Sequence, residues 1–417
     1  MKLLVLTPQL PFPPHQGTTI RNFNIIKHLA PRHAITLLSF GTPQELDAAE
    51  PLRELCQHIE IAPHPTRSIW QRAWSTISSP LPDMALRLKS ERMHQVAAQI
   101  LAKEQFDVVQ VEGIEMARYI PNLKSKIPNS KPLIPNYQIV FDEHNAEYVL
   151  QKTAFESDVR RPTRWHAAAY SLIQWKKLER YERMICQHAD HVVACSEADV
   201  NSIRQLSTNY QSPITAIPNG VDTDFFVPSD NVCAKPLAEL GMVFAGKMDF
   251  RPNVDGVTWF CADILPRIRA EIPLAHITIV GQKPAPRIAA LEHQPGVDVT
   301  GWVSDTRPFV ADAAVYVVPL RMGSGTRLKV LEAMAQGKTI VSTTRGAEGI
   351  DAIPGRDIII ADTPETFARA VIALLRDPDR RRLLGRNARA LAESQYDWRK
   401  IVPRFEQVYA RMQYCAS

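Results

Sequence analysis

The stretch that decides the fold is residues 319–337, PLRMGSGTRLKVLEAMAQG, which contains a strand end, a glycine-rich loop and a helix in that order. A strand ends at Pro319, Gly323 and Gly325 lie in the loop, and Thr326 is placed to cap a helix that stops at Gly337. Free backbone N–H groups and the helix dipole at such a helix start favour a negatively charged ligand. The stretch therefore predicts an anion site at the end of a buried strand.

Three charged side chains of this helix support the same interpretation. Arg327 and Lys329 lie in the first turn, where cations are unfavourable because the helix dipole is positive there, and a phosphate ligand would explain them. Glu332 follows a turn and a half along the helix, where a carboxylate can accept two hydrogen bonds from a vicinal diol such as a ribose. Without the surrounding loop, Glu332 would read equally well as an exposed helix glutamate.

Around this stretch, short apolar runs alternate with helical patterns along nearly the whole chain. Strands are predicted at 2–7, 34–40, 58–61, 107–111, 138–142 and 191–196, and then at 242–245, 276–280, 297–300, 314–319, 338–343 and 357–360. Helices are predicted at 19–30, 93–103, 254–271, 327–336, 364–376, 379–393 and 398–412. This alternation is typical of βαβ units with parallel sheets. Two consecutive sets predict an α/β chain of two doubly wound, Rossmann-like domains facing a cleft.

The domain boundary is predicted near residues 217–222, Ile-Pro-Asn-Gly-Val-Asp, where proline and Asn-Gly interrupt the pattern. Residues 1–213 are thus expected to form an N-terminal domain and residues 214–417 a C-terminal domain. The last helix, at about 398–412, is expected to pack back on the N-terminal domain.

Size and composition restrict the class of protein. A chain of 417 residues favours two domains, and an apolar content of 45% is typical of a globular enzyme. A net charge of +5 without a concentrated basic stripe argues against a nucleic-acid binder. The six cysteines are scattered singly and without metal-ligand spacing, which favours reduced thiols in the cytosol. We expect neither a cleaved leader nor a membrane span, because prolines break the short apolar N-terminal run and no run of about 18 apolar residues occurs.

Two segments, 66–92 and 160–183, do not fit the alternation because they carry tryptophans beside arginines and lysines. This combination suits the headgroup region of a membrane and suggests peripheral membrane contact. The alternative is a helical insertion whose tryptophans belong to the core.

The stretch at 323–335 resembles the donor-site signature of retaining GT-B glycosyltransferases of family 4, which carry two glutamates eight positions apart. The second glutamate matches Glu332, which the resemblance assigns to the ribose hydroxyls of a nucleotide-sugar donor. Ser324 stands where the first glutamate is usual, so the chain is similar to a subgroup reading GxGTRLKxLEAMA. The resemblance implies a GT-B fold and sugar transfer with retention of configuration.

Residues 243–255 are similar to the first C-terminal strand and phosphate loop of these enzymes. Gly246 is the loop glycine, Lys247 stands where arginine is frequent, and Arg251 adjoins the usual place of a second cation. The resemblance therefore implies that Lys247 and Arg251 clamp the donor diphosphate. Val303 falls in a segment that usually borders the nucleotide base.

The N-terminal half carries further residues that the family would place at the site. Gly17 and Thr18 follow the first strand and open a helix, in a loop that approaches the donor phosphate or the acceptor. His144 matches a histidine near the transferred sugar, although a lone histidine is more often structural. Glu112, at a strand end, is either an acceptor contact or a carboxylate in water.

The predicted catalytic residues are His144, Lys247, Arg251, Arg327 and Lys329. The predicted donor-binding residues are Gly17, Gly246, Val303, Gly323, Ser324, Gly325, Thr326 and Glu332, and the predicted acceptor-binding residues are Thr18 and Glu112. No metal site and no cofactor are expected. The Asp-Thr-Asp at 222–224 resembles a metal-binding DxD, but it lies in the predicted linker and no further Asp/His cluster supports it.

The resemblance implies a metal-independent hexosyl or hexosaminyl transferase that binds a nucleotide-sugar and a saccharide or lipid-linked acceptor. Envelope or extracellular polysaccharide or glycolipid synthesis is the expected context, with a cytoplasmic location, peripheral on the inner face of the plasma membrane. One rival is a nucleotide-sugar epimerase or hydrolase on the same fold. Another, motivated by Ser324, is a non-catalytic sugar-nucleotide-binding partner.

Overall fold

The apolar runs of the first half form a seven-stranded parallel sheet with the order β3-β2-β1-β4-β5-β6-β7. Its strands are β1 (Lys2–Thr7), β2 (Ala34–Phe40), β3 (His58–Ala62), β4 (Val108–Glu112), β5 (Gln138–Asp142), β6 (His191–Ala194) and β7 (Ile214–Ala216). Strands β1 and β4 are buried over almost their whole length, as expected for a parallel sheet that helices cover on both faces.

The helices of this half follow the strands in chain order. They are α1 (Gly17–Leu29), α2 (Pro43–Asp47), α3 (Glu50–Leu55), α4 (Ile69–Ser78), α5 (Asp83–Arg87), α6 (Glu91–Lys103), α7 (Ile120–Lys124), α8 (Glu147–Val159), α9 (Trp165–His188) and α10 (Glu197–Gln205). Leu4, Leu6, Val109 and Phe141 are fully buried in the core beneath them.

The second half repeats the scheme with a six-stranded parallel sheet in the order β10-β9-β8-β11-β12-β13. Its strands are β8 (Gly241–Ala245), β9 (His276–Val280), β10 (Val297–Gly301), β11 (Val315–Val318), β12 (Ile340–Ser342) and β13 (Ile359–Ile360). Its helices are α11 (Arg251–Trp259), α12 (Leu265–Glu271), α13 (Pro286–Ala289), α14 (Arg307–Asp312), α15 (Leu328–Ala335), α16 (Pro364–Arg376) and α17 (Pro378–Leu391).

In this computed structural model the described residues are 1–124, 137–160, 162–206, 212–228, 240–323 and 325–416. The chain divides into two units, which we call unit 1 (Met1–Pro218 with Val402–Ser417) and unit 2 (Asn219–Ile401). The last helix, α18 (Trp398–Ala416), runs through the division at residue 401. The predicted α/β fold of two doubly wound sheets is confirmed.

Two differences from the predicted elements have clear physical reasons. The helix predicted at 254–271 is broken by a π-helical turn, Phe260–Ile264, just before Pro266, whose ring nitrogen cannot donate the next helical hydrogen bond. The predicted Thr326 cap is wrong. Helix α15 begins at Leu328, and Arg327 rather than Thr326 holds its N-cap position.

The tryptophans of the two basic segments are largely exposed, so the core interpretation is wrong for most of them. Trp70, Trp74 and Trp165 are 84%, 72% and 62% exposed. Trp175 alone among the four is half-buried. Among the described residues, no helix combines the length and the apolar character that crossing a bilayer requires.

Candidate active site

Two strand ends in unit 1 bring Glu112, Asp142 and His144 together. Strands β4 and β5 pair in parallel with Glu112 opposite Asp142, so both carboxylates emerge at the same edge of the sheet. The chain then turns, and His144 adopts a positive φ of 65°, an uncommon conformation for a residue with a side chain. This turn aims the imidazole back at the sheet edge, where its Nε2 lies 3.0 Å from Oε2 of Glu112. Strained backbone of this kind is frequent at functional sites.

A buried arginine neutralises Asp142. The guanidinium of Arg21, on α1, donates to both carboxylate oxygens of Asp142 at 2.7 and 3.2 Å. Arg21 also donates to the carbonyl oxygens of Ile217 and Pro218. Burial opposes its charge, but Asp142 raises the pKa of Arg21 above its usual value. Arg21 therefore remains a cation and fixes α1 to the strand edge.

Glu112 and His144 influence the pKa values of each other. Burial raises the pKa of Glu112, and the nearby Asp142 adds to the rise, while His144 opposes it. Burial lowers the pKa of His144, but Asp142 and Glu112 outweigh this, so its net shift is upward. The two groups thus form a pair that holds a proton between a carboxylate and an imidazole.

Three polar side chains complete the cluster. With its amide nitrogen turned toward them, Asn22 donates to Oε2 of Glu112 at 2.9 Å and to the carbonyl oxygen of Thr18 at 3.2 Å. Gln110 donates to Glu112 and accepts from the hydroxyl of Tyr409. The predicted acceptor residues Thr18 and Glu112 are therefore joined through Asn22. Gly17, the first residue of α1, is exposed at the same helix start.

Among the described residues, Glu112, Asp142 and His144 also form a group of metal-ligand type, with ligand atoms within 4.8 Å of one another. The donor set fits a cation poorly, because both oxygens of Asp142 already accept from Arg21 and Nε2 of His144 lies against Glu112. The Asp222–Asp224 pair is occupied as well. Asp222 accepts from the backbone N–H of Asp224, and Asp224 pairs with Arg399 at 3.0 Å.

A second polar cluster lies in unit 2, where β8 ends and Gly246 follows it. The Nζ of Lys329, on α15, reaches across this turn and donates to Oδ1 of Asn253 at 2.8 Å. The same Nζ lies 4.2 Å from the centre of the Phe244 ring, a cation–π contact. Asn253 in turn donates to the carbonyl oxygen of Lys247 at 2.8 Å, which fixes the turn. The loop after β8 and the first turn of α15 are thereby held together.

The charged groups of this cluster are poised near neutrality. Burial is the main reason that the pKa of Lys329 falls to about 7, and Arg327 lowers it further. Burial also raises the pKa of Glu332 to about 7, against the effect of Lys329. Burial likewise lowers the pKa of Arg327. An anionic ligand would favour the charged form of Lys329 and would face the Arg327 guanidinium, so the cluster has the electrostatic character of a phosphate site.

The glycine loop before α15 has the predicted backbone character. Gly323 and Gly325 have positive φ values of 105° and 79°, which residues with side chains rarely adopt. The Arg327 guanidinium lies against Gly323. A methyl group on Gly323 would lie 3.0 Å from Nη2 of Arg327. Thr326 is buried beneath the loop. Ser324 lies outside the described residues.

Three further predicted residues lie in unit 2. Lys247 is exposed, and its Nζ lies 3.8 Å from a carboxylate oxygen of Asp249. Arg251 is the first residue of α11 and is half-buried. Val303 packs against the core of unit 2, whereas its neighbour Trp302 is 71% exposed.

The sequence reasoning missed several polar residues of both clusters, namely Arg21, Asn22, Gln110, Asp142, Asn253 and Tyr409. A signal was present for two of them. Asp142 ends a predicted strand, and Asn253 follows the loop glycine in the first turn of a helix. Arg21 and Tyr409 carried no signal, because they lie far apart in the chain from the residues they contact.

Two family models match the chain. The model described as "Glycosyltransferase Family 4" matches residues 16–225, and the model described as "Glycosyl transferases group 1" matches residues 239–377.

Two curated relatives are similar to parts of the chain. An uncharacterized glycosyltransferase, MJ1069, of Methanocaldococcus jannaschii is 24% identical over 55% of this chain and 60% of its own length. An uncharacterized 44.6 kDa protein in the cps region of Klebsiella pneumoniae is 22% identical over 40% of this chain and 45% of its own length. The matched part thus spans about half the length of these relatives.

Solved structures match over the whole chain. Sucrose-phosphate synthase from Thermosynechococcus elongatus has a TM-score of 0.72 and 19% identity, with both chains fully covered. HepE of Anabaena, solved in complex with UDP, has a TM-score of 0.67 and 13% identity, with 99% of this chain and 100% of that chain covered. At these identities the likeness shows the fold, which is GT-B.

Proposed function

Because the chain belongs to glycosyltransferase family 4, we propose that it transfers a sugar from a nucleoside-diphosphate sugar to a saccharide or lipid-linked acceptor. The observation that carries the proposal is the placement of Lys329. Its ammonium group is half-buried over the turn at Gly246, with Asn253 and the Phe244 ring as its partners. A cation held there has no carboxylate within ion-pair distance among the described residues, and a diphosphate would supply the missing negative charge.

In the proposed reaction, unit 2 binds the donor. The diphosphate lies at the start of α15, where backbone N–H groups, Arg327 and Lys329 stabilise the negative charge that develops as the sugar leaves. Glu332 accepts hydrogen bonds from the donor ribose. Lys247 and Arg251, at the turn and at the start of α11, are proposed to complete the phosphate contacts when the donor binds.

Unit 1 is proposed to supply the acceptor side. The Glu112–His144 pair offers a proton donor and acceptor at the sheet edge, beside Thr18 and the exposed start of α1. His144 is proposed to contact the transferred sugar or the acceptor hydroxyl. Transfer with retention of configuration, without a metal or another cofactor, remains part of the proposal. The cations of unit 2 take the role that a metal has in other transferases.

The biological setting is also a proposal. The Klebsiella relative is a protein of a cps region, which suits a role in polysaccharide or glycolipid synthesis. The described cysteines, Cys56, Cys186, Cys195 and Cys261, are buried, and none of these four forms a disulfide. Reduced thiols suit the reducing environment of the cytosol, so we propose that the reaction takes place there, at the inner face of the membrane.

The proposal is tested first by ligand binding. A thermal-shift screen of nucleoside diphosphates and their sugars should reveal at least one that raises the melting temperature, because a ligand that binds only the folded protein stabilises it. Lys329→Ala should reduce the shift. Arg380→Ala, which removes an exposed cation of α17 in the same unit, should leave it unchanged.

Turnover then separates the rival activities. The donor identified by the screen is incubated with the purified protein, with and without candidate acceptors, and the products are analysed by mass spectrometry. A glycosylated acceptor supports the proposal. Free or epimerised sugar formed without any acceptor would indicate a hydrolase or an epimerase, and donor binding without turnover on any acceptor would favour the non-catalytic role.

A further inference from the structure

Helix α4 of unit 1 exposes its apolar side chains to solvent. Ile69, Trp70, Trp74 and Ile77 are 81%, 84%, 72% and 81% exposed, and no residue of the helix is buried. At 100° per residue these four side chains and Ala73 fall within one half of the helix surface. An amphipathic helix normally turns such a face toward the core. Helix α4 does the opposite, which indicates that something outside the described chain covers it.

The polar side of α4 fixes this orientation. Arg67 donates to Oγ of Ser75 at 2.6 Å and pairs with Asp83 at 3.0 Å. Lys177, on α9, donates to the carbonyl oxygen of Thr76 at 2.7 Å. A cation is favourable there because it faces the negative end of the helix dipole. The helix is thus attached to unit 1 by its polar face, and its apolar face cannot turn inward without breaking these bonds.

An apolar groove extends this face toward α9. Ile69, Ala73 and Ile77 line one side of it and Tyr170 and Ile173 line the other, around a cavity of about 440 Å³. The exposed apolar surface is therefore continuous across two helices.

The rim of this surface carries an excess of positive charge. Arg67, Arg72 and Arg87 approach the single carboxylate of Asp83 at 3.0, 3.5 and 4.0 Å. Glu115 also pairs with Arg87 at 3.3 Å, so two carboxylates face three cations and the rim keeps a net positive charge. Arg72 and Arg87 each keep 55% of their side chains exposed. Tryptophans surrounded by arginines match the chemistry of a bilayer interface, where indole rings lie among headgroups and cations bind lipid phosphates.

We propose that the face formed by Ile69, Trp70, Trp74 and Ile77, which we call the α4 face, docks on an anionic lipid bilayer. Trp70 and Trp74 enter the headgroup region, and the neighbouring arginines bind lipid phosphates. A second copy of the chain suits this face less well. A symmetric dimer uses the same patch on both subunits, so it would bring two cationic rims together. The proposal stands independently of the donor site in unit 2.

The test is co-sedimentation of the full chain with vesicles of phosphatidylcholine, with and without phosphatidylglycerol. The wild-type protein should bind the anionic vesicles and be released by salt, since surface charges are screened. The double variant Trp70→Ser, Trp74→Ser should bind at least about tenfold more weakly because it loses most of the apolar contact. Trp302→Ser removes a tryptophan of similar exposure from unit 2 and should bind like wild type.

Arginine variants and the oligomeric state of the protein distinguish membrane docking from the alternatives. Arg72→Gln with Arg87→Gln should weaken binding to the anionic vesicles only. The proposal is overturned if the wild-type protein does not bind anionic vesicles, or if the double tryptophan variant binds as well as wild type. It is also overturned if the wild type is a dimer in solution that the same variant converts to a monomer. Thermal shifts with nucleoside diphosphates should be equal in the wild type and in the double tryptophan variant. A failure of membrane binding therefore leaves the donor proposal untouched.

Discussion

The Nζ of Lys329 and the Cα of Gly246 are so close that a methyl group on Gly246 would lie 2.5 Å from that Nζ. The same methyl group would lie 2.9 Å from Nδ2 of Asn253. With Lys329 in this position, the loop after β8 has room only for glycine because the lysine passes directly over it. This relationship joins two distant parts of the chain in the proposed anion site, and it can be tested by adding a single carbon.

Gly246→Ala should displace Lys329 without unfolding unit 2, because the end of a lysine side chain is flexible. We expect the affinity for the best-binding nucleoside diphosphate to fall on the order of tenfold, the cost of about one lost charge-assisted hydrogen bond. Calorimetry measures the affinity and circular dichroism checks the fold. In a Lys329→Ala background the same glycine substitution should cost much less. Equal losses in both backgrounds would show that the two residues act independently.

Donor binding should take up a proton above neutral pH. The pKa of Lys329 is lowered to about 7, mainly by burial, so most of its ammonium is deprotonated at about pH 8. A bound diphosphate favours the charged form, and Lys329 then takes up a proton. Calorimetry in two buffers of different ionisation enthalpy measures this uptake, and affinity should decline as the pH rises above about 7. Lys329→Met should remove the difference between buffers, and an unchanged difference in that variant would assign the proton elsewhere.

Arg21→Met should destabilise unit 1 by about 3–5 kcal/mol, the usual cost of leaving a buried carboxylate without its partner. Arg21 is 1% exposed, and its guanidinium donates to both oxygens of Asp142. Chemical denaturation measures the loss. Adding Asp142→Asn to Arg21→Met should recover part of the stability, because it removes the unpaired charge. A double variant as unstable as the single one would mean that packing, and not charge, makes Arg21 necessary.

His144→Asn should separate the functional role of this residue from a structural one. Asparagine accepts a positive φ more readily than most residues and can still donate to Glu112, so the melting temperature should change little. Asparagine cannot hold a proton as imidazole does, and turnover should fall about 100-fold if His144 assists the transfer by acid–base chemistry. Wild-type turnover in this variant would leave His144 as a structural residue.

The parallel architecture could be predicted because its signal is local. Buried strands such as β1 and β11 are short runs of β-branched and aliphatic residues bounded by turns, and each was predicted within a few residues. The glycine loop at 323–325 was equally visible, since its glycines adopt the positive φ that the motif requires. The three residues of β7 are too few to give a recognisable pattern.

The parts that could not be predicted depend on contacts between distant residues. Arg21 and Asp142 are separated by 121 positions, and Gln110 and Tyr409 by 299, so no spacing in the sequence relates them. The orientation of the α4 tryptophans could not be predicted for a different reason. Their spacing is that of any amphipathic helix, and periodicity does not reveal whether the apolar face turns toward the core or toward solvent.

The buried carboxyls Glu143 and Glu182 should make unit 1 less stable at alkaline pH. Both are buried, and burial raises the pKa of Glu143 to about 8 and that of Glu182 well above its usual value. A group whose folded pKa lies above its unfolded value of 4.5 stabilises the fold fully below that value. This stabilisation is lost as the pH rises from the unfolded pKa through the folded pKa, so the melting temperature should fall from about pH 5 and level off above about pH 8. Glu143→Gln cannot ionise and should flatten the decline, whereas Glu156→Gln, an exposed change on α8, should not. Parallel curves for all three proteins would assign the alkaline loss to other groups.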